Sequence, residues 1–305
     1  MARKNILSNQ RNCPICEYPK EKEIFLTKEI DESKITDFSF SSRKEPEFMR
    51  HQLVRCLSCD LIYADEPPSA NTLHQSYHEA DYDSDTEAVD AADIYFHSMR
   101  ETLNSISEKN SALEIGTGNG VFLDHLSKAG FKKVIGIEPS LSAIKNAPTS
   151  RKEKIQIGIF EEKNFKPESF DLICCFMTME HVLDPKIISD AVFRLLKPGG
   201  AFVTITHNYR SLVNKLLGQK SPIIDIEHMQ IFSNKSIVNL MKKSNYINIK
   251  NKDIKNKYRL SYWIKLLPIQ GKLKDTLYKI VKKFGLEEYR LSINVGNQIT
   301  SAYKA

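Results

Sequence analysis

The apolar residues of this chain come in short, evenly spaced runs. Ala112 to Ile115 is continuously apolar apart from Glu114, and reads as a buried strand. Glycines follow at alternate positions, Gly116, Gly118 and Gly120, before Val121-Phe122-Leu123-Asp124-His125-Leu126 opens a helical pattern. A second apolar run, Val134-Ile135-Gly136-Ile137, ends in Glu138, 18 residues after Gly120. Continuing in this way, strands are predicted at 112–115, 133–138, 154–160, 170–176 and 200–206, with helices near 120–129, 140–147 and 186–196. Lys197-Pro198-Gly199-Gly200 reads as a helix stop and tight turn feeding the fifth strand. Ser233 is a predicted N-cap for a helix through Lys243, and Tyr246–Ile249 and Leu291–Tyr303 supply two last strands. Strand–helix alternation of this kind predicts an α/β fold, a doubly wound, seven-stranded, mostly parallel sheet covered on both faces.

Upstream, residues 88–108 carry Ile94, Met99, Leu103 and Ile106 at helical spacing, and the predicted helix lies over the mouth of the glycine site. An acidic, polar bridge precedes it, with Pro67-Pro68, then Asp81, Asp83, Asp85, Glu87, Asp90 and Asp93, interrupted by Tyr77 and Tyr82. The expected organisation is a module over 1–65, a linker and covering helix over 66–108, and the sheet domain over 109–305 with a basic insertion near 255–285.

Composition adds little until charge is divided along the chain. With 305 residues, 41% hydrophobic and 27% charged, the sequence supports a sizeable core. No run of 18 apolar residues occurs, and basic Met1–Asn5 is followed by no apolar signal core, so a cytoplasmic location is expected. From Ser211 onward, 18 Lys and Arg face 6 Asp and Glu, whereas the rest of the chain carries 26 against 32. A basic third on an acidic body points to an anionic partner on one face. Within Tyr262–Phe284, apolar Trp263, Leu266, Leu267 and Pro268 precede Lys272, Lys274, Lys279, Lys282 and Lys283. Such a segment suits peripheral contact with an anionic membrane or closure over an anionic acceptor.

Four of the six cysteines form two pairs, Cys13-Pro14-Ile15-Cys16 and Cys56-Leu57-Ser58-Cys59. In a reducing compartment this spacing predicts one structural zinc held by Cys13, Cys16, Cys56 and Cys59, with no position open for catalysis. Cys174 and Cys175 sit in an apolar run and are expected in the core. Residues 1–65 hold 11 basic and 11 acidic residues, so the module has no electrostatic footprint for nucleic acid.

Leu113–Gly120, Ile137-Glu138-Pro139-Ser140, Ser169–Ile173, Glu180–Pro185 and Arg194–Gly200 stand in the order and spacing of class I S-adenosylmethionine-dependent methyltransferases, which this sequence resembles over roughly residues 110–245. The cysteine pairs, Glu227-His228 and Phe232-Ser233 look like the bacterial branch that methylates sugars and other small molecules.

The resemblance implies S-adenosylmethionine as cofactor. Gly116, Thr117, Gly118 and Gly120 bring backbone against its methionine and ribose parts, and Glu138, followed by Pro139, holds the ribose hydroxyls. Ile159 and Phe160 fall where the family contacts adenine. Phe176, Met177 and Tyr82 wall the donor, and Glu114 anchors the glycine loop. His228, oriented by Glu227 beside Asp225, is the expected general base, with His181 and His207 also at the acceptor. The expected acceptor is a small, anionic sugar or nucleotide-linked sugar, methylated on oxygen in preference to carbon. The alternatives are rRNA base methylation and a non-catalytic nucleotide-binding scaffold.

Overall fold

In the computed structural model, the described residues are 11–17, 21–41, 44–82, 85–267, 269 and 271–305. Met1–Asn5, Asp83 and Pro268, named above, lie outside them. The chain begins with three short strands, β1 (Lys22–Leu26), β2 (Leu53–Cys56) and β3 (Ile62–Ala64), then helices α1 (Ala70–Glu79), α2 (Asp85–Ser98) and α3 (Arg100–Ser105). The alternating part follows as β4 (Ser111–Ile115), α4 (Val121–Lys128), β5 (Lys133–Glu138), α5 (Leu141–Asn146), α6 (Thr149–Lys152), β6 (Ile155–Ile157), β7 (Phe170–Phe176), α7 (Pro185–Leu195) and β8 (Leu196–His207). The last third holds α8 (Leu212–Leu217), β9 (Gln230–Ile231), α9 (Asn234–Lys243), β10 (Ile247–Arg259), α10 (Leu260–Leu266), α11 (Lys272–Lys283) and β11 (Arg290–Tyr303).

Seven strands form the main sheet in the order β10-β11-β8-β7-β4-β5-β6. β4, β5, β6, β7 and β8 run parallel, and β11 joins β8 and β10 antiparallel. The α/β expectation holds. β4 lies between β5 and β7, so successive connections leave it in opposite directions, and a crevice opens above the carboxyl ends of β4 and β7. The loops after those two strands are Gly116–Gly120 and Met177–Asp184.

Four elements depart from expectation, each for a local reason. The 88–108 helix is divided at Met99, which is buried. Met99 N still donates to Tyr95 O and Leu103 N to Met99 O, so the rod bends without losing its ladder. The third strand pairs only over Ile155–Ile157, because it is an edge and Gly158, at φ +125°, turns the chain away. Lys197–Gly200 is not a turn before the fifth strand but a bulge inside β8: Leu196 pairs with Phe170, and the next paired residue, Ala201, faces Leu172. β10 runs to Arg259, far beyond Ile249, because its inward residues Ile254, Asn256 and Tyr258 alternate correctly but include a polar one. That asparagine hides the period.

The N-terminal strands form a second, antiparallel sheet in the order β1-β2-β3-β9, so its fourth strand comes from residues 230–231. Arg11 adds three bonds across the same seam, donating to Ala64 O, Leu183 O and Met229 O. Cys13, Cys16, Cys56 and Cys59 are buried in one apolar cluster with Leu113, Ile115 and Phe232. The first strands are thus packed directly on the main sheet.

Candidate active site

The crevice is shaped first by backbone. Gly116, Gly118 and Gly120 have φ of +75°, +58° and +74°. A Cβ on Gly116 would sit 2.1 Å from Thr178 Oγ1, whereas one on Gly118 would meet nothing within 4 Å, so at Gly118 the backbone itself faces open space. Thr117 Oγ1 donates to the buried Glu114 carboxylate, which fastens the loop from beneath. Asn119 Nδ2 donates to Asp85 Oδ1 at 2.6 Å, tying the loop to the first residue of α2. Glu138 accepts from Gly118 N at 2.7 Å and Ser140 N at 2.9 Å, one bond to each oxygen. Burial pushes its carboxyl above the usual range, against those two bonds.

A cavity of about 450 Å³ fills the crevice. Tyr82, Glu114, Gly116, Thr117, Gly118, Phe176, Met177, His181, His207, Glu227 and His228 all line it. Gly120, Glu138, Pro139, Ile159 and Phe160 do not. Gly120 is the N-cap of α4, Glu138 stands behind Gly118, and Pro139 O is bonded to His78 Nδ1 at 3.0 Å. Ile159 is exposed, and Phe160 stacks on Phe165 at 6.4 Å. These residues form the flank of the β5 tip, not the cavity wall. Tyr95 and Phe122, which the sequence did not single out, complete the wall by packing on the Phe176 ring at 5.2 and 4.8 Å. Met177 has φ +50°, an unfavourable value for a side chain of that size, at the carboxyl end of β7.

Three imidazoles also meet in the cavity lining. His228 lies 4.9 Å from His181 and 5.5 Å from His207 between ring centroids. His228 Nδ1 is 2.9 Å from Ile223 O, so it carries the proton and Nε2 keeps its lone pair. His207 Nδ1 is likewise 2.8 Å from Asn297 Oδ1. Tyr77 Oη donates to Glu227 O at 2.8 Å and lies 3.0 Å from His181 Nδ1, so His181 is clasped at that nitrogen.

The expected orientation of His228 by Glu227 fails on distance. Oε1 and Nε2 are 3.9 Å apart, because adjacent residues of the Asp225–His228 turn diverge, and the Ile223 carbonyl orients the ring instead. Burial pushes the Glu227 carboxyl up to about 8 and lowers His181 and His207 to about 4. It also lowers His228, assisted by the other two imidazoles. Lys44 Nζ, in a loop with no sequence signal, reaches this floor and pairs with Asp225 and Glu47, each at 2.9 Å.

Beneath the histidines lies Glu180, fully buried. Its Oε1 accepts from His207 N at 2.6 Å, and its carbonyl accepts from Met229 N and Gln230 N. Burial raises its carboxyl to about 8.

The cysteines make a separate cluster. Cys13 and Cys59 Sγ are 3.4 Å apart, Cys16 and Cys56 Sγ 3.9 Å, and all four lie within 4.8 Å of one another. Tetrahedral thiolates about 2.3 Å from a zinc ion stand roughly 3.8 Å from each other, so this set fits one ion. Each pair closes through the same turn: Glu17 N donates to Cys13 O and Asp60 N to Cys56 O, with φ of 62° and 67° at Glu17 and Asp60.

A glycine turn after the first central strand, an acid at the tip of the next and a cavity at the switch point define a Rossmann-like nucleotide-cofactor protein. The profile of a family described as "Methyltransferase domain" matches residues 89–251, more than half of the sequence, and the chain belongs to that family. A ubiquinone biosynthesis O-methyltransferase of Paracidovorax citrulli is 30% identical over 117 residues, 35% of this chain and 48% of the relative. Its namesake in Neisseria meningitidis is 33% identical over 116 residues, 34% and 48% of the two chains. The chain thus spans about half the length of these curated relatives. A SAM-dependent methyltransferase from Archaeoglobus fulgidus superposes with a TM-score of 0.48 at 14% identity, over 70% of this chain and 94% of that one.

The titrating groups of the floor set a pH optimum for stability. The Glu180 and Glu227 carboxyls are raised in the folded state, so their contribution is complete below their unfolded pKa and is lost as pH rises through about 8. The lowered histidines contribute fully above their unfolded pKa and lose that contribution as pH falls through about 4. Thermal unfolding should therefore peak near pH ~6.5 and fall on both sides. Glu227→Gln should flatten the alkaline limb, and an unchanged limb would assign it to other groups.

Proposed function

We propose that the chain transfers the methyl group of S-adenosylmethionine to a hydroxyl of a small, ring-bearing acceptor. The observation that carries this reading is one cavity lined both by the Gly116–Gly118 backbone and Met177 and by His228, whose Nε2 is held as an acceptor. Bound there, S-adenosylmethionine supplies an already activated methyl group, which leaves the protein the tasks of alignment and water exclusion. Glu138 lies outside the cavity lining, behind the Gly118 backbone, with a second lone pair left on each oxygen beside its backbone bond; a ribose reaching past Gly118 to the β5 tip would place its two hydroxyls there. Tyr95, Phe122, Phe176 and Met177 keep water from the reacting carbon. His228 removes the hydroxyl proton at Nε2 as the carbon–oxygen bond forms.

The rest of the cavity speaks to the acceptor. Val213, Leu217, Tyr258, Tyr262, Trp263 and Leu266 line it, and among the described lining residues Lys44 is the one lysine, already paired with two carboxylates. That supports a neutral ring, phenolic or sugar, seated on the Tyr258–Trp263 aromatic faces, over the phosphate-bearing sugar expected from net charge. The O-methyltransferase designation of the relatives supports oxygen as the target. The four cysteines hold a structural zinc, whose ligation contributes folding energy directly.

Three measurements test this reading. Calorimetry should show S-adenosylmethionine binding that Glu138→Ala weakens about 10- to 100-fold; equal affinities would overturn the ribose contact. His228→Ala should lower labelled-methyl transfer about 10²–10⁴-fold on whichever phenol or ring alcohol the parent methylates, with cofactor affinity unchanged. Near-parental turnover would move the base to His207, whose Nε2 has the same tautomer. Protein purified without chelator should contain about one zinc per chain, and Cys56→Ser should lower both zinc content and thermal midpoint. Full stability of metal-free protein would contradict the zinc assignment.

A further inference from the structure

α11 is twelve residues long and buries none of them. At 100° per residue, Leu273, Leu277, Ile280 and Phe284 fall within a ~60° arc, with Lys279 and Lys283 on one side of it and Lys274 on the other. Ile280 is 47% and Phe284 68% exposed, although a helix of this pattern in a globular protein ordinarily turns that stripe inward. Five lysines and one aspartate give the helix a charge of +4. Lys274 secures it to the body by bonding Lys265 O at 2.9 Å and pairing with Glu45.

A second exposed stripe stands on α8, beside the cavity; α11 adjoins that cavity only through its packing on α10, which lines it. In α8, Val213 and Leu217 line the cavity while Leu212 and Leu216, one turn apart, point to solvent, Leu216 at 77% exposure. Leu267 and Ile293 both line the cavity and are exposed, so the cavity reaches the surface between α8 and the α10–α11 corner. Its mouth is therefore rimmed by the exposed Leu267 and Ile293 and by Leu217 of α8, with Lys215 exposed beside them and the lysines of α11 following α10 along the chain. That arrangement suits a layer with negative charge outside and hydrocarbon beneath. A second copy of this chain would bring the same +4 helix against itself, which opposes self-association through this face.

We infer that α11 and α8 seat the protein on an anionic bilayer, with the cavity mouth turned to the membrane. An acceptor whose ring carries a hydrocarbon tail then enters without leaving the lipid. The entry route rests on the acceptor reading above; the docking surface does not.

Flotation of the full chain with vesicles tests it. The protein should float with phosphatidylcholine vesicles containing phosphatidylglycerol and not with phosphatidylcholine alone, and raising salt should reduce the bound fraction. The double substitution Ile280→Glu and Phe284→Glu should reduce flotation about tenfold or more, with S-adenosylmethionine affinity unchanged. Parent protein that stays in solution with anionic vesicles, a double variant that floats as well as the parent, or a parental dimer that the substitutions dissociate would each overturn the docking. Failure to float with cofactor binding intact overturns this inference alone. Absence of cofactor binding overturns the methyltransferase reading, whatever the vesicles show.

Discussion

The buried side chain of Glu180 fixes the distance between the two halves of the site. It stands just beyond the carboxyl end of β7, bonds the backbone of His207 at the end of β8, and through its own carbonyl holds Met229 and Gln230. Gln230 returns the contact by donating its side-chain amide to Met179 O and Val182 O. Three separated stretches, 177–184, 207 and 228–230, are thereby locked to one another in a place water does not reach. The imidazoles keep their mutual spacing because their backbones are joined here, not because they bond each other. A bond in such surroundings resists exchange with solvent, and a missing partner would be costly.

The same low-dielectric floor explains why its acids and bases are displaced in opposite directions. Burial disfavours whichever form is charged, so the Glu227 carboxyl is driven to hold its proton and the imidazoles to release theirs. Near neutral pH the result is a set of largely uncharged groups, with Lys44 and Asp225 compensating each other at the margin. A neutral imidazole with a fixed lone pair is aimed to accept a proton and repels no uncharged ring lodged beside it, while the burial that keeps it neutral also weakens it as a base.

What the sequence made legible was local. The Gly116–Gly120 turn, the strand ending in Glu138, the Ser233 cap and the two cysteine pairs each announce themselves within a few residues, because backbone conformation and ligand spacing are short-range constraints. Parts of the candidate site that depend on distant segments were not legible. Lys44 arrives at the histidine floor from ordinary polar sequence, and nothing in its neighbours marks it; Tyr77 stood out as an interruption of the polar bridge, but nothing nearby tied it to His181 or Glu227. Glu227 and His228 are adjacent in sequence, which suggested a bonded pair; the turn that carries them separates their side chains. Phe160 followed the third strand as expected, but a three-residue edge strand left it beside Phe165. β10 escaped notice past Ile249 because a buried asparagine broke its apolar period.

The pairing of β9 with β3 has a consequence for how the chain is made. Tyr63 and Ile62 must wait for Gln230 and Ile231, so more than half of the polypeptide is synthesised between the two partners. Throughout that interval the emerging amino-terminal strands present an unpaired edge, the kind of surface on which nascent chains stick to one another. A metal ion captured early by the cysteine turns would hold β2 and its neighbours in shape before their last strand exists. With all four cysteines complete by residue 59, an ion bound there would serve as a placeholder during translation, keeping an unfinished sheet from finding the wrong partner.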